Sequence, residues 1–331
     1  SHQGLRNVGK YDKQKKRFTN ITWRSFRKFT KNRPFLLMSA TPVYNPGDVY
    51  AVVKLLNTDV YPTKRYFERL HVAETDFFGN ITEWANMDLL HENLYANALT
   101  IPKEMLPSLP DLVISVVPYK LNSRHMREYK EMVEYELLRT DDGRELDLTR
   151  VMRLFHVMQR FITAPEKLDV TRVQSNLLNM VDTILNEDRS KLVVFANYRS
   201  TNRAMLDHYK GGAVGCFSEI TRKQQQMNKD AFINSDVRVL VGNPDSLGVG
   251  TDGLQHVCYR AVFAELPITP SQFEQAMGRV HRTGQDRPCV IKCLVAEGTI
   301  QEKLFQALMN KDDILQEVVR DRKVLRDVIS C

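Results

Sequence analysis

The chain has no Cys-x-x-Cys pair, no Gly-x-x-x-x-Gly-Lys-Ser/Thr loop, no internal repeat and no apolar run near the ~20 residues that cross a bilayer. Each absence removes a class. Without a long apolar run there is no membrane-spanning helix, and the basic N-terminus lacks the apolar core of a signal peptide. The five cysteines are Cys216, Cys258, Cys289, Cys293 and Cys331. The one close pair, Cys289 and Cys293, falls inside the apolar run Cys-Val-Ile-Lys-Cys-Leu-Val, where both point to one side of a strand and pack as small apolar groups. Reduced thiols, no zinc site and a soluble, intracellular chain are the expectation. The only Gly-Lys, Gly9-Lys10, is followed by Tyr11, so the sequence holds no loop of its own to cradle a triphosphate.

What is present is ordinary globular composition: 331 residues, 43% hydrophobic and 26% charged, enough for two domains of roughly 150 residues. The net charge of +7 suits a polyanion partner without requiring one. The excess is uneven, because residues 1–33 carry Lys13, Lys15, Lys16, Arg17, Arg24, Arg27, Lys28 and Lys31 among their bases against one acid, Asp12. Such a run is either a phosphate-facing helix or a solvated helix face.

The pattern predicts a basic amphipathic helix over 11–30 and a buried strand at Phe35–Met38 ending in Ser39-Ala40-Thr41-Pro42. A helix over 48–56 follows, then an irregular, mainly helical stretch to about 168. Within that stretch residues 84–99 and 123–139 read as helices, Leu112–Val117 alternates like a strand, and Asp141-Asp142-Gly143 is a turn. After Val173 the rhythm changes. Strands at 191–195, 237–241, 257–264 and 289–295, with a short Gly-flanked one near 213, alternate with helices of 10–15 residues. That alternation is the signature of an α/β fold with a parallel sheet. A charged helix over 302–329 closes the chain. His71, His91, His125 and His156 lie on helical segments without ligand spacing and read as surface or satisfied core residues.

The chemistry concentrates at Ser271–Arg282. On a helix Gln275, Arg279 and Arg282, spaced i, i+4, i+7, share one face, and Gly278 lets another backbone approach it. Adjacent guanidiniums repel unless an anion sits between them, and a triphosphate suits their planar forks. A solvated charged face has the same composition, but it does not account for Gly278 or the Thr283-Gly284-Gln285 stop.

Gln275-x-x-Gly278-Arg279-x-x-Arg282-x-Gly284-Gln285 resembles motif VI of superfamily-two helicases, and the ending His281–Gln285 resembles the Swi/Snf-type ATPases in particular. Val194–Ser200 resembles motif IV, Gly242–Asp252 motif V, Ser39–Pro42 motif III, and Glu297–Glu302 the junction after motif VI. Ser1-His2 with Gln3–Asn7 resembles the end of a DExH box and the loop after it; an expression-tag scar is the alternative for Ser1-His2. Ala40, and the Gly250-Thr251-Asp252-Gly253-Leu254 ending of motif V, suit the superfamily more widely than the Swi/Snf branch.

The resemblance implies a RecA-like parallel-sheet motor lobe with a mainly helical insertion and the end of a first RecA-like lobe. Residues 1–56 would be the end of the first lobe, 57–170 the insertion, 171–300 the second lobe and 301–331 a brace-like helix. It implies ATP and Mg2+ as cofactors, with the metal ligands upstream of residue 1, and duplex DNA as partner. Arg279, Arg282 and Gln275 would be catalytic. Gly250, Asp252, Gly278 and His2 would face ATP, while Ser39, Ala40, Thr41 and Thr251 couple the sites. Asn197, Arg199, Asn243, Ser246, Lys15, Lys16 and Arg17 would contact DNA. The function implied is the arginine half of an ATP-dependent DNA translocase, inactive without the upstream half. Alternatives are a strand-separating DNA or RNA helicase and a non-catalytic scaffold for DNA or a partner.

Overall fold

The computed structural model describes residues 11–12, 17–18, 21–38, 43, 45–75, 81–99, 101, 109–147, 151–170, 172–248 and 252–311. The chain forms two compact units, Ser1–Met105 and Leu106–Cys331. Of the residues singled out above, His2, Lys15, Lys16, Ser39, Ala40, Thr41, Gly250 and Thr251 lie outside the described ones.

In the first unit, β1 (Tyr11–Asp12) and β2 (Arg17–Phe18) form an antiparallel stub, and the basic helix starts only at α1 (Ile21–Thr30). The predicted start at residue 11 therefore moves ten residues downstream. Helix α1 buries Trp23, whose indole N–H donates to the Ala51 carbonyl at 3.0 Å on α2 (Pro46–Leu56). Asn45 caps α2, its side chain accepting from the Asp48 N–H, and Pro46 sits where its missing N–H costs nothing. The predicted strand at Phe35–Met38 is absent. Phe35 and Leu37 pack beside Trp23, but Leu36 and Met38 are 81% and 82% exposed, and no strand pairs with them among the described residues. A buried parallel strand needs a neighbour to hydrogen-bond, which this segment does not have there.

Helix α3 (Lys64–His71) leads into the hairpin β3 (Val72–Thr75) and β4 (Ile81–Trp84), so the helix predicted from Trp84 begins later, as α4 (Met87–Tyr95). His71 is buried with its partners satisfied, as expected of a core histidine. Its Nδ1 lies 3.2 Å from the Ala85 carbonyl, which can only accept, so Nε2 accepts from the Tyr61 hydroxyl at 2.9 Å.

The second unit is built on a parallel six-stranded sheet. Its strands are β5 (Leu112–Tyr119), β8 (Leu192–Phe195), β9 (Ala213–Cys216), β10 (Val239–Gly242), β11 (Arg260–Phe263) and β12 (Cys289–Ala296). A small hairpin, β6 (Leu137–Arg139) and β7 (Glu145–Asp147), lies outside it. The order is β5-β12-β11-β8-β10-β9. Strand β5 comes from within 57–170 and pairs with β12 residue for residue, Leu112 with Cys289 through Tyr119 with Ala296. Strands β8, β10 and β11 are buried at every position, as runs such as Leu-Val-Val-Phe require when helices cover both faces. Those helices are α5 (Ser123–Tyr135), α6 (Val151–Thr163), α7 (Leu177–Asn186), α8 (Arg199–His208), α9 (Arg222–Asn234), the short α10 (Pro244–Gly248), α11 (Pro270–Met277) and α12 (Ile300–Asn310). Helix α5 stops at Tyr135, short of the predicted Arg139, because Glu136 turns left-handed (φ 51°) into the hairpin. Helix α12 ends where Lys311 turns left-handed, and the rest of the predicted 302–329 helix lies outside the described residues.

Two arginines brace the other edge of the sheet. Arg238 donates to the Leu185 and Asp188 carbonyls at 2.9 and 2.7 Å, and the buried Arg260 donates to the Ile184 carbonyl. Cations at the C-terminus of α7 satisfy its orphan carbonyls and complement its dipole. Cys216, Cys258, Cys289 and Cys293 are buried thiols, and burial pushes Cys258 and Cys293 up to about 12, consistent with packing rather than reactivity. Among the described residues no helix is long and apolar enough to cross a membrane.

Burial lowers the proton affinity of His125, whose Nε2–H donates to the Phe161 carbonyl at 2.7 Å, and of His156. Both folded values lie below the ordinary 6.5, so as pH falls the unfolded chain takes up protons first, and stability is lost below about 6.5. The Asp188 carboxyl is held near 2 by hydrogen bonds from Tyr259 and Ser190, so its contribution persists above its ordinary 3.8 and vanishes as pH falls from there toward 2. Urea midpoints should accordingly drop between pH 7.5 and pH 5, and His125→Gln with His156→Gln should flatten that decline. A midpoint that is level across this range in the unsubstituted protein would refute the assignment.

Candidate functional site

From β8 the chain passes to β9 at one side of the sheet, returns to β10 beside β8, and then crosses to β11 and β12 on the other side. The loops leaving β8, β10 and β11 therefore meet at one edge of the sheet, the place where open parallel sheets bind ligands. Asn197, Arg199, Asn243 and Ser246 sit on these loops or at the starts of the helices that follow them, whereas Asp252, Arg279 and Arg282 lie on the segments that lead into β11 and β12.

The arginines are not on a helix. Helix α11 starts at Thr269, whose hydroxyl accepts from the Gln272 N–H, and ends at Met277. Beyond it the bonding is that of turns: Arg279 N–H to the Ala276 carbonyl at 3.1 Å, and Val280 and His281 N–H both to the Met277 carbonyl at 3.1 and 2.9 Å. The predicted helix over 271–282 thus stops before its two arginines, and only Gln275, bonded through Nε2 to the Ser271 hydroxyl at 3.1 Å, lies on it. Gly278 marks the change: a Cβ there would lie 3.3 Å from the Glu274 carbonyl oxygen.

The structure nonetheless brings Arg279, Arg282 and Asp252 together. Arg282 Nη1 lies 3.4 Å from Asp252 Oδ1. That oxygen also accepts from Gln255 Nε2 and the Gly253 N–H at 3.0 Å each, and these bonds, with Arg282 next, hold the carboxyl below the usual range. Arg279 is half-buried, and burial together with the neighbouring Arg282 charge weakens its hold on its proton, opposed by Asp252. Two guanidiniums near one another, one of them partly desolvated, present planar forks of donors that suit phosphate oxygens. The donor set therefore fits a polyphosphate group.

Gln285 is a residue whose role the sequence did not reveal. It is buried, and its amide is fully used. Nε2 donates to the Cys258 and Val280 carbonyls at 3.0 Å each, and Oε1 accepts from the Asp286 and Arg287 N–H groups at 3.1 Å each. One side chain thus closes the loop that carries both arginines. His281 Nε2–H donates to the Pro110 carbonyl at 2.8 Å, and Gly284 turns left-handed (φ 93°) against the His256 ring. That ring lies 3.3 Å from Gln255 Nε2.

The expected nucleic-acid residues divide. Arg199 is exposed and pairs with Glu219 at 3.3 Å, beside Arg203 at 2.6 Å. Asn243 caps α10, its Oδ1 accepting from the Ser246 N–H at 3.2 Å. Asn197 Nδ2 donates to the Leu266 carbonyl at 2.5 Å, which ties the loop after β8 to the loop after β11. The Tyr198 hydroxyl is bonded to His156 Nδ1 at 3.0 Å, so it packs at the strand end. Between these loops sits a second residue without a signal in the sequence, the buried Glu265.

Residues 174–284 match the helicase conserved C-terminal domain. The DNA annealing helicase and endonuclease ZRANB3 of Mus musculus is 25% identical over 317 residues, covering 88% of this chain and 28% of that protein. The DNA repair and recombination protein RDH54 of Saccharomyces cerevisiae is 23% identical over 337 residues, covering 87% of this chain and 35% of that protein. This chain therefore spans about a third of the length of these relatives. In fold it is similar to the Sulfolobus solfataricus SWI2/SNF2 ATPase core solved in complex with dsDNA, with TM-score 0.51 and 18% identity over 88% of this chain and 66% of that one.

Removing the Gln285 amide leaves buried carbonyls and N–H groups unpaired at the base of the arginine loop. Gln285→Ala should destabilise the second unit by about 2 kcal/mol in urea denaturation. A loss below about 0.5 kcal/mol, the range of ordinary surface changes, would show that the amide does not close the loop.

Proposed function

We propose, from the premise that this chain belongs to the Swi/Snf-type ATPases of helicase superfamily two, that it is the arginine-bearing half of an ATP-driven motor on duplex DNA. The observation that carries this reading is the Arg279–Arg282–Asp252 cluster on the segments that enter β11 and β12. Bound ATP, with Mg2+, would supply the terminal phosphoryl group whose transfer to water drives stepping. In this reading Arg279 and Arg282 donate to the equatorial oxygens as charge builds on them, and Gln275 helps position the arginine turn. The pair of Arg282 with the 77% exposed Asp252 is of the kind worth about 0–1 kcal/mol, and a phosphate outcompetes it.

Gly278 gives the phosphates room beside the arginine turn, and Gly250, Asp252 and His2 are assigned to ATP by the motif resemblance alone. Ser39, Ala40, Thr41 and Thr251 carry the change in nucleotide state to the track. Residues 1–56 end the first RecA-like lobe, 57–170 form the insertion, 171–300 the second lobe, and 301–331 the brace. Duplex DNA as the track is supported by the dsDNA held by the Sulfolobus relative and by the repair and annealing functions in the names of the others. Asn197, Arg199, Asn243 and Ser246 present polar groups at the loop edge, and Lys15, Lys16 and Arg17 add charge. Contacts of this kind go to phosphates and carry little sequence preference.

In the complete natural protein, Arg279→Ala should lower DNA-stimulated ATP hydrolysis by about 10³-fold or more while DNA affinity stays nearly unchanged. Near-normal turnover would sink the arginine assignment. Changing Lys15, Lys16 and Arg17 together to Gln should flatten the salt dependence of DNA binding by about 0.9 in log–log slope for each phosphate contact removed. An unchanged slope would return that run to a solvated surface.

A further inference from the structure

Glu265, two residues beyond the end of β11, has 1% of its surface exposed, and among the described residues no cation pairs with it. A carboxylate so placed is expensive to bury, and burial pushes its carboxyl upward. Hydrogen bonds oppose this. Oε1 accepts from the Thr163 hydroxyl of α6 at 2.6 Å and from the Thr201 hydroxyl of α8 at 2.5 Å, while Oε2 accepts from the Tyr198 N–H at 2.8 Å. One side chain thus joins two helices and the loop after β8. Two further bonds double the link: the Ala264 N–H donates to the Phe195 carbonyl at 2.9 Å, and the Asn197 side-chain Nδ2 to the Leu266 carbonyl at 2.5 Å.

Helix α6 does more than meet Glu265. His156 holds the Tyr198 hydroxyl at 3.0 Å. Gln159 Oε1 accepts from Gln301 Nε2 at 3.3 Å, and Gln301 in turn accepts from the Ala296 N–H, at the end of β12, at 2.9 Å. The helix therefore straps across the ends of β8, β11 and β12 by buried polar contacts, with Glu265 at the middle one. Five residues after Glu265, at Pro270, begins α11, and Arg279 lies in the turn two residues beyond its end at Met277. If packing alone were needed here, an apolar side chain would serve as well or better, since buried charge is weak evidence of stability.

We propose that Glu265 is a positioning residue, acting through loop 196–199, that holds the DNA-facing backbone in register with α6 and with the helix leading to the arginines. It rests on the motor reading above for what that loop contacts. Displacing α11 pulls on the segment between Glu265 and Pro270, and the carboxylate passes that pull to Tyr198 and its neighbours Asn197 and Arg199.

The test uses the complete natural protein and its Glu265→Gln variant, which keeps the size of the side chain but replaces one acceptor oxygen with a donor. The duplex concentration giving half-maximal ATP hydrolysis should rise about tenfold, while KM for ATP moves by less than about twofold. Hydrogen exchange at the Tyr198 amide should quicken in the same variant. A folded variant with unchanged half-saturation, or one losing both parameters in proportion to the fraction unfolded, overturns the proposal. Should Glu265→Gln not fold, Thr163→Val and Thr201→Val each remove one donor and must shift the same DNA parameter. If the unsubstituted protein shows no response to duplex DNA, the motor reading fails; Tyr198 exchange that is also unchanged in the variant then overturns the positioning role as well.

Discussion

Everything in the second unit depends on the central position of β8. Its four residues are buried, and it is hydrogen-bonded in parallel to β10 on one side and β11 on the other. A parallel strand can hold that place only if helices cover both faces and every crossover returns over the sheet. The result is geometric. The loops that follow β8, β10 and β11 leave on one edge, and the helix-capping arginines Arg238 and Arg260 gather at the other, where the segments bearing Asp252, Arg279 and Arg282 enter β11 and β12. Catalytic side chains need not be near one another in sequence, because the sheet collects them.

Much of this was legible from residues alone. The strands announced themselves as short β-branched runs between turn residues, and the switch from irregular helices to strand–helix alternation near residue 173 marked the sheet. Even Leu112–Val117, embedded in helical sequence, alternated strongly enough to be read as a strand, although nothing in its pattern said that its partner lay at Cys289–Ala296. Partner choice is a long-range property, and periodicity carries only local information.

What the sequence did not disclose has the same cause. Spacing of i, i+4, i+7 is satisfied by Gln275, Arg279 and Arg282 whether or not the helix continues, and the structure ends it at Met277. The hydrophobic pattern of Phe35–Met38 is that of a strand, but a strand exists only with a neighbour. Glu265 is a single acid among apolar residues and has no period, and the four hydrogen bonds of Gln285 run to backbone groups that no motif names. Polar residues whose work is to satisfy buried backbone are nearly invisible before the fold is known.

The contact between Gly284 and His256 has a further consequence. The space beside Gly284 is already filled, since a Cβ there would stand 2.8 Å from the imidazole Cε1. The imidazole leans on Gln255, and Gln255 holds the carboxylate that meets Arg282. These parts stand in one line of contact from the turn to the ion pair. The absence of one methyl group in the turn sets the clearance of the whole line, and so the distance at which a carboxylate and a guanidinium face each other across two loops.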